Sequence, residues 1–405
     1  MATPIQGESI EVIQLRCLLL SPVDPPDPRN GDVQYTEDLV RFAPPGIEYV
    51  TYQEALMSGE IEWGPSLRAA STFFRPTRLP AAVTRAILHV LRRARLLLPD
   101  SVRLIRVRGR FDVVHIHCFP VRFLGEHPPV LLSDSAGTFW YWTYGRGLSE
   151  HRVERLLRRE HKLARLIGYS HPTANPSGEA LTFFVETGRS LAARIGVDAS
   201  AAVICPAGIP AARRSSASNG RTLLFVGRWF ELKGGPEALE IFARVRERVP
   251  AARLLVAGPD RPYAQIPGVE WLGNVSRERL YDEIYPSADV FLYPTTFDTA
   301  AFVVQEALGH GVPIVAPRRL CLPDLVRDGE TGFLYEPDDL AGATDAIVAL
   351  LENGEKLTAA KHAARHDFEK RFTFELRNRI LGDLYRTVVT QKARTRKNAN
   401  GADRD

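Results

Sequence analysis

Two basic side chains stand at a point where an apolar segment gives way to a helical pattern. The segment LLFVGRWFELKGGPEALEIF runs from Leu223 to Phe242, and its loop carries Arg228 and Lys233 before two glycines and a proline. Two cations beside a helix N-terminus form an anion site, and a departing diphosphate needs such neutralisation. The alternative is an ordinary strand–turn–helix with an exposed arginine and lysine.

Two carboxylates follow in the segment PTTFDTAAFVVQEALGHGVPIVA, from Pro294 to Ala316. Asp298 precedes a helical pattern, and Glu306 lies eight residues later among Val, Ala and Leu. A carboxylate in apolar surroundings is costly unless it has hydrogen-bond donors, and the two hydroxyls of a ribose are suitable donors. A helix N-terminal charge or a buried salt bridge is the alternative interpretation of Glu306.

Polar residues in the first half of the chain form a second, weaker set of candidates. His115 and His117 alternate within the strand-like FDVVHIHCF, so both face one side, where each is either structural or catalytic. Asp134 and Ser135 follow the strand-like VLLS, and Gly31 lies in a breaker-rich loop after the first apolar run.

The elements that position the first set alternate regularly in the second half of the chain. Short apolar strands alternating with helices indicate a parallel sheet covered on both faces, with its ligand site at the carboxyl ends of the strands. The predicted strands are Thr222–Gly227, Arg253–Ala257, Val269–Leu272, Val290–Tyr293 and Pro313–Ala316. The predicted helices are Pro236–Arg248, Arg277–Tyr285, Phe302–Gly309 and Leu340–Glu352.

The first half shows a similar but less regular pattern. A polar Ser/Asn/Gly/Arg stretch, Ala211–Gly220, separates the halves and is typical of a linker. The predicted strands are Glu11–Leu20, Phe111–Phe119 and Val130–Ser133, and the predicted helices are Leu79–Leu98, Leu148–Ile167 and Gly178–Ile195.

Length and composition are those of an ordinary soluble protein of about two domains. The chain has 405 residues, of which 45% are hydrophobic and 25% charged, and a net charge of +4. Its four cysteines form no CxxC pair, so neither a zinc site nor a disulfide framework is predicted. The absence of GxGxxG after the first strand argues against a dehydrogenase, and the absence of GxxxxGK[ST] argues against a P-loop ATPase or kinase.

The charge is unevenly distributed along the chain. Between Arg68 and Gly168 there are 18 arginines and one lysine against seven acidic residues. This excess indicates either an anionic partner, acceptor or membrane surface, or simply the solvated face of arginine-rich helices. With no secretory leader and no apolar run long enough to span a bilayer, we expect a cytoplasmic protein, with peripheral membrane contact through the basic half. We expect no nucleic-acid partner.

Taken together, FVGR…KG, PTTFD…QEALGHGVPIVA and GETGFLYEPDD closely resemble the retaining glycosyltransferases of family four. The resemblance covers Leu223–Glu352 in order and spacing, and it extends more weakly to the strand at Phe111. It implies an α/β GT-B fold, in which two Rossmann-like, doubly wound domains face each other across a cleft. The domains it implies are an acceptor-side domain at 1–210, a nucleotide-sugar-binding domain at 211–372, a helix at 373–391 crossing back to the first domain, and a disordered tail at 392–405.

The resemblance also implies a role for each matching residue. Arg228 and Lys233 would bind the donor diphosphate in place of a metal ion, Asp298 would lie near the donor sugar, and Glu306 would bind the ribose. The other donor-binding residues would be Gly227, the base-side Asn274 and Val275, and the segment Thr299, Ala300, Ala301 and Phe302, whose N–H groups would face sugar and phosphate oxygens.

The chain departs from the family pattern at several of these positions. Asp298 replaces the usual Glu, Ala300 and Ala301 replace glycines, Asp134 and Ser135 stand where a His is common, and only Gly31 remains of a double glycine. The resemblance implies that the acceptor side of the site is formed by Gly31, His115, His117, Asp134 and Ser135.

The implied reaction transfers a sugar with retention from a UDP- or GDP-sugar to a hydroxyl acceptor, without a metal or other cofactor. The acceptor class is open: a glycan, a lipid or a small molecule. The alternatives are a sugar-nucleotide epimerase of the same fold and a non-catalytic sugar-nucleotide binding protein.

Overall fold

The computed structural model describes residues 14–21, 31–63, 103–117, 121–134, 149, 151–155, 157–158, 161, 180–210, 219–260, 262–263 and 265–402. The predicted helix Leu79–Leu98, most of the predicted linker, Ser135 and Cys118 lie outside these residues.

The described strands form three sheets. Two sheets have six strands each, in the orders β2-β1-β5-β7-β8-β9 and β12-β11-β10-β13-β14-β15, and a smaller one has the order β3-β4-β6. The strands are β1 Leu15–Leu20, β2 Ile47–Thr51, β3 Ile61–Trp63, β4 Arg103–Val107, β5 Val113–His117, β6 Val121–Phe123, β7 Val130–Asp134, β8 Ala180–Phe183, β9 Val203–Ile204, β10 Thr222–Val226, β11 Arg253–Ala257, β12 Val269–Gly273, β13 Val290–Leu292, β14 Ile314–Pro317 and β15 Gly332–Tyr335.

Helices connect most of the strands. They are α1 Gly31–Arg41, α2 Tyr52–Met57, α3 Glu186–Arg194, α4 Gly235–Arg248, α5 (the consecutive pieces Arg277–Arg279, Leu280–Ile284 and Tyr285–Ser287, of which the second is a π turn), α6 Phe302–Gly309, α7 Leu322–Leu325, α8 Leu340–Glu352, α9 Gly354–Arg371 and α10 Phe374–Ala402. Residues 151–155 are also helical.

The chain divides into two compact units. The first takes the described residues up to Ser133, residues 180–181 and those from Asn378 onward, and the second takes the rest. Within the first unit, β1 pairs in parallel with both β2 and β5, and β5 pairs in parallel with β7.

The second unit is built around the fully parallel sheet β10–β15. Its central strand β10 is buried along its whole length, as expected for a parallel strand covered on both faces. The apolar face of α4, with Ile241, Phe242 and Val245, packs into the same core as Phe225 and Leu254. Burial of each such side chain contributes about 1.5–3 kcal/mol to the free energy of unfolding. This core therefore holds β10, β11 and α4 in fixed positions.

Several helix boundaries follow from capping residues. The Asp339 side chain accepts a hydrogen bond from the N–H of Gly342 at the start of α8, and Asn353 accepts one from the N–H of Lys356 at the start of α9. Each cap satisfies an amide that has no partner inside the helix, which contributes about 1 kcal/mol. Both helices therefore begin where the sequence supplies a side-chain acceptor.

The predicted elements of the second half are confirmed, whereas two predictions elsewhere are wrong. Residues predicted as one helix from Gly178 to Ile195 instead form strand β8 followed by α3, because the apolar Leu181–Phe183 run is buried in a sheet. The predicted disordered tail is helical through Ala402, since α10 continues through it. Extending an existing helix is inexpensive, and Lys, Arg and Ala are good helix formers.

Two further sequence expectations concern the described residues. Cys17, Cys205 and Cys321 are free and buried, as expected for cysteines in apolar strands and their flanks. In the described ranges, no helix combines the length and the apolarity needed to cross a membrane.

Candidate functional site

Two glycines allow the ends of β10 and β11 to approach closely. Gly227 follows β10, and its N–H donates to the carbonyl of Ala257 at 2.9 Å. A Cβ on Gly258, whose φ is 124°, would lie 2.5 Å from the Gly227 carbonyl carbon, and a Cβ on Gly227 would lie 2.8 Å from the Cβ of Lys233. The missing side chains therefore let Lys233 lie over the end of β10.

Gly234 brings the same loop against the segment that follows β13. It has a φ of 76°, and a Cβ there would lie 1.9 Å from the carbonyl oxygen of Pro294. The left-handed backbone favours glycine, and the contact with Pro294 leaves no room for a Cβ. The first amides of α4 serve the loop itself, since Gly235 N–H donates to Phe230 O and Pro236 has no N–H. An anion at the start of α4 would therefore be attracted mainly by the helix dipole, because the first N–H groups of the helix are already bonded or absent.

The structure brings Lys233 and Asp298 together. The Lys233 Nζ lies 2.6 Å from Asp298 Oδ2 and 3.2 Å from the carbonyl oxygen of Phe297. The side chains are 21% and 15% exposed, so the pair is largely sheltered yet reachable from solvent. These two residues are the predicted catalytic pair for which the structure supplies a direct contact.

Asp298 receives three further hydrogen bonds. The Tyr293 hydroxyl donates to Oδ2 at 2.7 Å, and the N–H groups of Ala301 and Ala300 donate to Oδ1 at 2.8 and 3.2 Å. Burial raises the pKa of Asp298, but the charge of Lys233 and these hydrogen bonds outweigh it, so the net pKa is lowered. Asp298 is therefore a fixed anion, and two of the N–H groups predicted to face the donor are used by it.

The segment Thr299–Phe302 turns sharply into helix α6. Ala301 has a φ of 37° and a ψ of 61°, the left-handed region that non-glycine residues rarely adopt. The carbonyl of Ala300 accepts a hydrogen bond from Gln305 Nε2 at 2.8 Å, and Gln305 is 1% exposed. Thr299, Ala300 and Ala301 are all buried. The alanine that replaces a family glycine thus keeps the backbone conformation for which glycine is favoured.

Glu306, on α6, is buried as predicted and is bound by two tyrosines of α5. The Tyr281 hydroxyl donates to Oε1 at 2.9 Å and the Tyr285 hydroxyl donates to Oε2 at 2.8 Å. Glu306 is only 5% exposed, so donors of this kind are needed to offset the loss of hydration. In the structure the carboxylate is therefore held by at least two neutral phenols.

The remaining predicted donor residues lie at the same edge of the sheet. Arg228 follows Gly227 at the end of β10 and is exposed. Asn274 and Val275 follow β12 and precede Ser276, whose side chain caps α5. Since α5 carries the tyrosines that bind Glu306, the predicted base-side segment and the predicted ribose ligand are joined by one helix.

A cavity of about 270 Å³ lies beside the loop after β13. The guanidinium of Arg319, which lines it, donates to the carbonyl of Thr296 at 3.2 Å. Glu237 and Tyr335 also line the cavity, and burial, followed by the charge of Glu237, raises the pKa of Tyr335. None of the predicted site residues lines this cavity, so it is distinct from the Lys233–Asp298 pair.

The two candidate histidines of the first unit are buried in a hydrogen-bond network. His115 Nε2 and His117 Nδ1 lie 2.9 and 3.0 Å from Ser133 Oγ, and His115 Nδ1 lies 2.7 Å from the Tyr385 hydroxyl. Both histidines are 0% exposed. They share a face, as predicted, and their burial and partners fit the structural alternative.

The other acceptor-side candidates lie at or beyond the limits of the described residues. Gly31 is the first residue of α1 and Asp134 is the last residue of β7. The side chain of Asp134 and all of Ser135 lie outside the described residues.

Several site residues were missed by the sequence analysis. Tyr293 directly follows strand β13, and Tyr281 and Tyr285 are spaced by four in a predicted helix, a spacing that places both on one face. That spacing was the one available signal. Ser133 and Gln305 gave none, because nothing in their local pattern separates them from ordinary strand and helix residues.

The comparisons with known proteins concern this part of the chain above all. The profile of the family described as Glycosyl transferases group 1 matches residues 220–353, which contain the whole Lys233–Asp298–Glu306 arrangement. Residues 220–353 are thus similar to group 1 glycosyl transferases. The resemblance seen in the sequence motifs is thereby confirmed.

The relatives of this chain match it over only part of their own length. Sulfoquinovosyl transferase SQD2 of Arabidopsis thaliana is 32% identical over 148 residues, which are 34% of this chain and 28% of that protein. D-inositol 3-phosphate glycosyltransferase of Corynebacterium urealyticum is 30% identical over 183 residues, which are 41% of this chain and 43% of that protein. The chain thus spans less than half the length of either relative.

Solved structures resemble nearly the whole chain. Sucrose-phosphate synthase from Thermosynechococcus elongatus has a TM-score of 0.61 at 15% identity, covering 93% of this chain and 100% of that one. Anabaena HepE in complex with UDP and glucose has a TM-score of 0.58 at 12% identity, covering 92% and 100%. With the parallel sheets, this likeness confirms the predicted GT-B fold.

Proposed function

We propose that the protein transfers a sugar from a nucleotide-diphosphate sugar to a hydroxyl acceptor, with retention of configuration and without a metal ion. In this proposal Lys233 and Arg228 neutralise the departing diphosphate, Asp298 lies beside the donor sugar, and Glu306 binds the ribose. The acceptor hydroxyl attacks the face from which the diphosphate departs, and a phosphate oxygen accepts its proton.

The observation that carries the proposal is the anchoring of Lys233. An ammonium group has three N–H donors. Within the described part of the chain, two of them are used by Phe297 O and Asp298 Oδ2, which leaves one for a phosphate oxygen. Because the ammonium is already fixed, little reorganisation is needed when negative charge develops on the leaving group.

The surroundings of Lys233 support an anionic ligand at this point. The N-termini of α4 and α6 both follow strands that end at this edge of the sheet, and each contributes partial positive charge. Asp298 is an anion, but its charge is offset by Lys233 and further stabilised by hydrogen bonds from Tyr293 and two backbone amides. The positive field that a diphosphate would meet therefore comes from Arg228 and the two helix N-termini, while Lys233 supplies a fixed hydrogen-bond donor.

The choice of donor and acceptor to test first follows from the comparisons. HepE has been solved with UDP-glucose, and this supports UDP-sugars as the first donors and GDP-sugars as the second. The names of two relatives refer to D-inositol 3-phosphate and phosphatidyl-myo-inositol. Together with the basic stretch between Arg68 and Gly168, they support anionic acceptors ahead of neutral glycans.

The proposal is tested with purified full-length protein and a panel of UDP-, GDP- and ADP-sugars. Thermal shift identifies the nucleotide that binds, and NMR of the product with inositol phosphate, lipid and glycan acceptors identifies the new anomeric linkage. We expect one nucleotide to stabilise the protein strongly and the product to retain the donor's configuration in the presence of EDTA. An inverted product, or a strict requirement for a divalent ion, would contradict the proposal.

The same assay separates the alternatives. Conversion of the sugar nucleotide in the absence of any acceptor would indicate an epimerase. Tight binding with no transfer across the whole panel would indicate a non-catalytic binding protein.

A further inference from the structure

Tyr281 and Tyr285 hold the two oxygens of one buried carboxylate. Their hydroxyls donate to Glu306 Oε1 and Oε2 at 2.9 and 2.8 Å. One phenol on each oxygen fixes the plane of the carboxylate as well as its position. A side chain so held keeps a single orientation before any ligand arrives.

The helix that carries the tyrosines is itself irregular at this point. Leu280–Ile284 forms a π turn between two short α-helical pieces of α5, and Tyr281 lies within it while Tyr285 follows it. Single π turns inside α-helices occur frequently at functional sites, where they re-aim side chains. Here the turn accompanies the presentation of both hydroxyls to one carboxylate.

His310 packs between α5 and the end of α6. Its Nδ1 lies 2.8 Å from the Glu306 carbonyl oxygen and its Nε2 lies 3.1 Å from the Tyr281 carbonyl oxygen. The imidazole ring also stacks on Tyr285, with centroids 4.8 Å apart and an interplanar angle of 22°. The imidazole therefore contacts the main chain on both sides of the tyrosine–carboxylate contact and can donate a hydrogen bond to one of the two carbonyls.

Neutral donors suit a carboxylate that must still bind a ligand. Burial, followed by the charge of Glu306, raises the pKa of both tyrosines well above its usual value, so both stay protonated. A carboxylate has about four acceptor positions, and two phenols can occupy two of them while further hydroxyls donate to the same group. A buried Lys or Arg in their place would neutralise the charge that attracts those donors.

We propose that Tyr281 and Tyr285 are positioning residues that set Glu306 to receive the 2′- and 3′-hydroxyls of the donor ribose, and so determine selectivity for a ribonucleotide. The inference rests on the proposed function, because it takes Glu306 as the ribose ligand. The tyrosines act only through Glu306 and touch no reacting atom.

The test compares a nucleoside diphosphate with its 2′-deoxy analogue. The dissociation constants of UDP, UDP-glucose and 2′-deoxy-UDP, with the GDP series in parallel, are measured calorimetrically for the wild type, Tyr281→Phe, Tyr285→Phe and the double variant. Phenylalanine keeps the ring packing and removes only the hydroxyl. Tyr293→Phe is the matched control, since it removes a phenol from the other carboxylate, that of Asp298.

We expect the wild type to prefer the ribonucleotide by about tenfold or more, as a hydrogen bond to a charged group implies. The preference should fall about tenfold in the double variant and partly in each single variant, whereas Tyr293→Phe should weaken both nucleotides alike. Thermal melting of each variant confirms that it is folded. If the double variant does not fold, the two single variants carry the test.

The outcomes separate this inference from the function on which it rests. Undiminished ribose preference in folded tyrosine variants overturns the inference and leaves the proposed function standing. A wild type that binds the nucleotides without preferring ribose also overturns it. A wild type that binds no nucleoside diphosphate overturns the proposed function, and this inference with it.

Discussion

Lys233 Nζ lies 2.6 Å from Asp298 Oδ2, although the two residues are 65 positions apart in the chain. The contact joins the loop before α4 to the loop before α6, at the ends of the neighbouring strands β10 and β13. A lysine that is held by a carboxylate and a carbonyl is pre-oriented, so a phosphate that binds it does not have to order a flexible side chain.

Replacement of Lys233 by alanine should abolish most activity while the fold survives. Loss of one pre-oriented donor to a developing negative charge typically lowers kcat by about 10²–10³-fold, and donor affinity should fall as well. The measurements are steady-state kinetics with the donor identified by thermal shift, and circular dichroism for the fold. Wild-type turnover in a folded Lys233→Ala variant would remove the basis of the diphosphate role.

Lys361→Ala is the matched control for that experiment. Lys361 Nζ also lies 2.6 Å from a carboxylate, that of Asp289, which is 0% exposed. Breaking this pair leaves a buried charge with less compensation and should cost about 3–5 kcal/mol of stability. The folded fraction should keep the donor affinity of the wild type, since this pair lies outside the candidate site.

Asp298→Asn should lower the free energy of unfolding by an amount that depends on pH. The pKa of Asp298 is lowered in the folded state, so its ionised form stabilises the protein at pH values above the unfolded pKa of about 3.9. That contribution is lost as the pH falls through the folded pKa. At pH 7 we expect the free energy of unfolding of Asp298→Asn to be about 1–3 kcal/mol below that of the wild type. This difference should shrink below about pH 4.

Urea unfolding of the wild type and of Asp298→Asn across this pH range measures the effect. If the difference in unfolding free energy between the variant and the wild type is the same at pH 7 and near pH 3.5, the ionisation of Asp298 does not stabilise the fold.

Gly234→Ala should be far more damaging than Gly329→Ala. The two glycines have nearly equal φ values, 76° and 80°, so the backbone strain of an alanine, about 1–2 kcal/mol, is matched. Only Gly234 would place a Cβ 1.9 Å from a carbonyl oxygen, whereas nothing lies within 4 Å at Gly329. The excess destabilisation and the loss of donor binding, measured by denaturation and thermal shift, therefore report the Pro294 contact alone. Equal effects would contradict the described loop.

Tyr385→Phe should destabilise the first unit without altering nucleotide binding. The Tyr385 hydroxyl lies 2.8 Å from that of Tyr49 and 2.7 Å from His115 Nδ1, and all three groups belong to the first unit. Removal of a shared buried hydroxyl costs about 1–3 kcal/mol. Chemical denaturation measures the loss, and calorimetry with the donor nucleotide checks that its affinity is unchanged.

The sequence determined most of the second unit. Strand and helix alternation was predicted correctly because the strands there are short, mainly apolar runs and most of the helices have a polar face or a capping residue, so local pattern and tertiary role agree. The positions of Arg228, Lys233, Asp298 and Glu306 at strand ends and helix starts followed from the same alternation. The pattern predicted the wrong element at Leu181–Phe183. This short apolar run is compatible with either a buried helix or a buried strand, and only its neighbours in the sheet determine which one forms.

Only the tertiary structure determined which of these side chains contact one another. That Lys233 meets Asp298, that two tyrosines take Glu306, and that Ser133 lies between His115 and His117 all depend on contacts across 16 to 65 residues of chain. Such contacts are set by strand order, by a π turn and by glycines that permit close approach, none of which has a local signature. Residue chemistry can therefore be read from the sequence, whereas the pairing of charges and donors requires the packed sheet that brings them together.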